Sequence, residues 1–203
     1  MYSEVHTDST GSVKITPTGT GLKIADGGIS FDGSTPVASR IAGATLTGAT
    51  ITDPVQTNSP VSAAASTLTV TAAAHAGRTI VLNRAAGITV TLPAATGTGN
   101  IYRFYVQTTA SGAPYVIAVA SATDFFIGTA TLYADGGDTV VGFATANTGT
   151  DATESDTITL DGSTKGGVKG AFIEITDLAS TTFGVRIVSD ASSTEASPFS
   201  VAV

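Results

Sequence analysis

The chain has 203 residues, a formal net charge of −7, no cysteine and no tryptophan. Ala, Thr, Ser and Gly supply 109 residues, over half the chain, a composition foreign to helix bundles and ordinary enzymes. With 12% charged against 42% hydrophobic residues, the sequence is too apolar for intrinsic disorder, and the missing cysteines exclude disulfides, thiolate zinc sites and a cysteine nucleophile.

This length suits one large all-β domain, or a domain of about 150 residues with an appendage. Solubility must come from Thr and Ser hydroxyls, or from burying surface against other subunits. The first eleven residues carry neither the basic region nor the apolar stretch of a secretion signal. No run reaches the roughly 18 apolar residues of a membrane helix, so synthesis in the cytoplasm without membrane partners is expected.

Apolar residues first come as alternating pairs, Val13 with Ile15, Leu22 with Ile24 and Ile29 with Phe31, bounded by Gly, Pro or Asp. Such pairs predict very short strands separated by turns. Ile41, Leu46 and Ile51 then recur every five residues, within the pentads Gly-Ala-Thr-Leu-Thr and Gly-Ala-Thr-Ile-Thr. A period of five suits short solenoid-like rungs, or an extended segment braided with its copies about a symmetry axis. These nine apolar residues are the candidate assembly interface, because no single repeat can bury its own apolar face. Residues 53–60, with two prolines and polar neighbours, read as a hinge. The predicted organisation is an extended arm with short strands over residues 1–58 and an all-β body over 59–203.

Residues 62–66 could make one helical turn, and helix is otherwise hard to find. From residue 67 onward, strand signals arrive at the spacing of a sandwich: 67–71, 78–82, 88–92, 101–106, 115–119, 125–127, 130–133, 139–143, 157–160, 171–175 and 183–188. Gly-rich turns separate them. The predicted fold is an antiparallel β-sandwich or jelly-roll-like body, with apolar residues inward and Thr hydroxyls outward.

Residues 102–203 hold four bases and eleven acids, so the whole net charge falls on that half. Nucleic acid is therefore excluded as a partner, since its binding needs clustered Lys and Arg. The acids read chiefly as a solvated outer face, with an all-oxygen calcium site as the sharper alternative, although no EF-hand loop appears. The Gly-rich runs 96–100 and 162–167 resemble phosphate loops only superficially, because no helix follows either; both read as turns. His75 lacks a nucleophile or orienting carboxylate at a motif spacing and reads as a surface or turn histidine; His6 lies far from it in sequence. Asp135 and Asp138 bracket Gly136-Gly137 and read as a tight turn rather than a glycosidase pair. Tyr102, Phe104, Tyr105, Tyr115, Phe125, Phe126 and Phe143 sit at strand spacing and read as core. No catalytic residue, cofactor or metal is expected, and the chain reads as a non-enzyme.

The stretch from His75 to Gly99, with residues 156–160, 166–170 and 197–200, resembles the virion structural proteins of tailed bacteriophages, specifically head decoration or cement proteins. The resemblance spans about residues 66 to 203. It implies a homotrimer on the outer capsid surface that clamps neighbouring major capsid subunits. The arm would anchor the protein and interlock the trimer. A tail-fibre or spike receptor-binding module, with the pentads as a trimeric shaft, is the alternative.

Overall fold

A computed structural model describes residues 4–7, 13–16, 59–134, 139–146, 148, 153–192 and 194–202. The chain divides into two compact units, Met1–Pro54 and Val55–Val203. In the first, β1 (Glu4–Thr7) and β2 (Val13–Thr16) pair antiparallel, with Val13 opposite Thr7 and Ile15 opposite Val5. The other candidate interface residues, Leu22, Ile24, Ile29, Phe31, Ile41, Leu46 and Ile51, lie outside the described residues, as do Asp135 and Asp138.

The second unit is all-β, as expected, but the first part of its chain does not run in hairpins. Its first six strands alternate between two sheets. β3 (Val61–Ala63), β5 (Thr79–Leu82) and β7 (Ile101–Val106) lie side by side in one sheet. β4 (Thr67–Thr69), β6 (Thr89–Thr91) and β8 (Tyr115–Ala118) lie side by side in the other. Each connection therefore crosses between sheets, and after a full coil the chain returns in its original direction. The pairs β3–β5, β5–β7, β4–β6 and β6–β8 are consequently parallel. This corrects the antiparallel expectation. A Gly-rich connector bends the chain by the same local chemistry whether it closes a hairpin or arches to a second sheet, so turn residues do not decide between the two.

β9 (Phe125–Tyr133), β10 (Val140–Ala144), β12 (Phe172–Ala179) and β13 (Thr182–Asp190) extend the first sheet to seven strands, ordered β10-β9-β13-β12-β7-β5-β3. β11 (Thr157–Leu160) and β14 (Phe199–Ser200) complete a five-stranded sheet, ordered β14-β11-β8-β6-β4. These later strands pair antiparallel except β13 with β9. Both sheets are thus mixed.

Period-2 alternation builds the core between the sheets. Ile80, Phe104, Ile173, Ile187 and Ala130 are successive cross-strand partners, and all are buried. On the other sheet Val90, Ile117 and Ile158 form the matching row, and the two sets belong to one cluster. Each such Ile or Phe stabilises the fold by about 1.5–3 kcal/mol. The two expected strands 125–127 and 130–133 merge into β9 through Gly128, whose φ is +150°. A Cβ there would overlap the Val185 carbonyl oxygen, so the missing side chain lets β9 and β13 approach.

The helical turn expected at residues 62–66 lies instead at α1 (Ala72–His75), because Val61–Ala63 is taken into a sheet edge as β3. Thr71 caps α1, its Oγ1 accepting from Ala74 N at 3.3 Å. No helix among the described residues is long and apolar enough to cross a membrane.

Candidate functional site

The two loops that look like phosphate cradles do enclose oxyanions, and the oxyanions are the chain's own carboxylates. Asp177 is 2% exposed. Its Oδ1 accepts from Thr96 N at 2.9 Å and Gly97 N at 2.7 Å. Its Oδ2 accepts from Thr96 Oγ1 at 2.9 Å, Thr98 N at 3.2 Å and Thr98 Oγ1 at 2.6 Å. Gly97 and Gly99 take positive φ of 74° and 72°, which turns successive N–H groups toward one centre. Burial alone would raise the Asp177 pKa, but the donors from Thr98, Gly97 and Thr96 outweigh it and hold it at about 2. In the same way residues 162–167 fold over Asp161, which accepts from Ser163 N, Thr164 Oγ1 and Lys165 N. Burial opposes ionisation there too, and the loop donors hold the carboxyl below its usual range. Both runs are turns, as expected, and each is filled.

Other acids also point inward. Asp124, Glu154 and Asp156 are buried. Asp124 Oδ2 accepts from Ala95 N at 3.0 Å, Glu154 Oε1 from Thr148 N at 3.0 Å, and Asp156 Oδ1 from Ala202 N at 2.8 Å. The reading of the acids as a solvated face is corrected to this extent: Asp124, Glu154, Asp156 and Asp177 are buried acceptors, the first three bonding one non-strand segment to another and Asp177 bonding a loop to β12. Among the described residues no three His, Asp or Glu converge as metal ligands. His75 is buried rather than a surface residue. Its Nδ1 accepts from Thr71 N at 3.0 Å, so it closes the helical turn it ends. Tyr102, Phe104, Tyr115 and Phe126 are core residues as expected, whereas Tyr105 is 45% exposed.

The outer faces of the two sheets differ sharply. On the five-stranded sheet, Thr67, Thr89, Val116 and Thr159 form one outward row. Thr69, Thr91, Ala118 and Ser200 lie along the next, in which Thr157 is covered and its Oγ1 donates to Asp156 Oδ1 at 2.8 Å. This is the hydroxyl face that the Thr alternation predicts.

The seven-stranded sheet presents apolar residues outward. Of the six exposed large hydrophobics among the described residues, five lie on its strands: Tyr105, Tyr133, Val140, Leu178 and Val188. Tyr105, Tyr133 and Val188 alternate with buried residues and so point away from the core, Val140 shares the face of its partner Tyr133, and Leu178 stands at the register shift of β12. Val140 pairs with Tyr133 at the edge. The Leu178 side chain lies over Gly184, where a Cβ would come within 2.7 Å of Leu178 Cδ1. Beside it a groove of about 350 Å³ is lined by Ile127, Glu174, Thr176 and Arg186. A second, of about 560 Å³, lies against Val81, Tyr105, Gln107 and Lys169. At the centre Arg103 Nε donates to Glu174 Oε2 at 2.8 Å, the one ion pair among the described residues.

Sequence reasoning placed the candidate interface in the first unit, where only Val13 and Ile15 fall on a described strand. It did not single out this sheet face. The signal was present: Phe172-Ile173 and Ile187-Val188 are adjacent apolar pairs, and a strand apolar at consecutive positions has two apolar faces. Comparison with protein-family models, characterised proteins and solved structures finds no match to this chain.

Proposed function

We propose that this protein is a non-enzymatic structural component of a virion, a decoration or cement protein on the outside of a tailed-bacteriophage head. The observation that carries the reading is the one-sided body: a sandwich with a Thr-lined face on one sheet and the exposed apolar residues gathered on the other. Exposed apolar residues scattered singly need no explanation, but a concentration on one face marks a surface meant for a protein partner. The resemblance of residues 66–203 to head decoration proteins supplies the identity of the assembly, with major capsid subunits and other copies of the chain as partners. Many small contacts repeated at symmetry-related positions hold such a protein by avidity. Residues 1–58 would anchor it.

The stacked coils of β3 to β8 favour one alternative, a fibre or spike module, since repeated coils are the architecture of elongated shafts. Copy number separates the two. Quantitative mass spectrometry of purified particles should find hundreds of copies for a head protein. A few dozen or fewer places the chain in the tail, and none overturns the virion reading.

A further inference from the structure

We propose that the outer face of the seven-stranded sheet is a two-fold contact and that its occupant is a second copy of this chain. The proposal rests on the assembly role above and names the partner of that surface.

Three rows of outward side chains cross the middle of the face. Tyr105, Phe172, Val188 and Thr131 are successive cross-strand partners in the first. Arg103, Glu174, Arg186 and Thr129 follow in the second, and Ile101, Thr176, Gly184 and Ile127 in the third. Consider a two-fold axis parallel to the strands, above the line between β12 and β13. It lays β12 over β13 of the second copy and β7 over β9, and it leaves height along the strands unchanged. Glu174 then faces Arg186 of the other copy, and Arg186 faces Glu174, giving two opposite-charge contacts. In the same operation Phe172 faces Val188 and Ile101 faces Ile127, each twice. The face is therefore self-complementary in charge and in apolar content about one axis, as an isologous interface must be.

Two further observations agree. Arg186 is exposed and makes no ion pair among the described residues, so an acidic group from outside the sheet has a place beside it. The face is also large enough. The axis overlaps six strands, β5 lying over β10 and β3 reaching past the edge of the second copy. Six strands about 4.8 Å apart, over about six residues of about 3.3 Å each, give roughly 570 Å² per copy. Two copies then cover roughly 1,140 Å², above the roughly 1,000 Å² a specific interface needs.

The test is the mass of the full chain in solution, by sedimentation velocity, for wild type, E174R and R186E. Either substitution makes both charged contacts like-charged, so wild type should have twice the mass of each variant. An equimolar mixture of the two variants places opposite charges across the axis again, and only across it. The mixture should regain the doubled mass, which no folding defect can mimic. The neutral variants E174Q and R186Q each lose part of the association, and their equimolar mixture, which restores one of the two opposite-charge contacts, should regain part of it. Three outcomes overturn the proposal: a wild-type mass equal to that of the variants; a doubled mass kept by both variants; or no rescue in the mixture. Particle copy number is a separate measurement, so failure of the virion reading is told apart from failure of this contact.

Discussion

Replacing Asp177 by Asn removes the charge around which residues 96–98 are wound. The carboxyl is lowered from 3.8 to about 2, and at about 1.4 kcal/mol per unit the folded state gains on the order of 2 kcal/mol from its ionisation. An amide accepts at one atom only, and the best orientation keeps Thr96 N and Gly97 N on its oxygen while Thr98 N loses its acceptor. The expected loss at pH 7 is about 2–4 kcal/mol, read from urea unfolding followed by circular dichroism. The pH dependence has a fixed sign. Between pH 4 and pH 2 the unfolded chain binds the Asp177 proton more tightly than the folded one. The wild-type advantage is therefore complete above the unfolded value and is lost as pH falls through the folded one. A D177N chain within about 0.5 kcal/mol of wild type at pH 7, or a gap undiminished at pH 2, would refute the electrostatic account of this loop.

Other substitutions test neighbouring parts of the account. Gly128→Ala should cost at least about 3 kcal/mol in the same unfolding assay, because its Cβ meets the Val185 carbonyl oxygen; an unchanged midpoint removes the close β9–β13 approach. Phe104→Ala opens a cavity in the centre of the core row and should cost about 3–5 kcal/mol. Arg103→Ala breaks an ion pair whose two side chains are about a third exposed, so it should cost less than about 1 kcal/mol and the difference should shrink with salt. Deletion of residues 1–58 should abolish attachment to purified shells in a pelleting assay; a truncated chain that still pellets with them undiminished refutes the anchoring role.

The strands of the body were legible because a buried strand announces itself by alternation, and residues 101–106 and 157–160 match β7 and β11 in full. Their order was not, because which sheet a strand joins depends on long-range packing. Residues 86–87 between β5 and β6 look the same in a hairpin and in an arch between sheets. The strand β3 was hidden for a related reason: Val61-Ser62-Ala63 has little β preference, and its pairing with Ile80, Val81 and Leu82 holds it in place. The acids show a different limit. Composition gives their number, but whether a carboxylate meets water or a ring of backbone N–H groups is decided by loop geometry. For Asp177 the donors lie about 80 residues away in sequence. The hydroxyl face of the five-stranded sheet was readable from Thr alternation, whereas the apolar outer face of its partner emerged only when Tyr105, Phe172 and Val188 fell into one row.

The central claim is that this protein works by being held in an assembly through the outer face of its seven-stranded sheet. Hydroxyl-radical footprinting tests it most directly, comparing the dilute free chain with the chain in its assembled particle. The account predicts that labelling of Tyr105, Tyr133, Leu178 and Val188 falls on assembly, while Val201, exposed but outside that sheet, stays labelled. Equal labelling of the four residues in both states contradicts it.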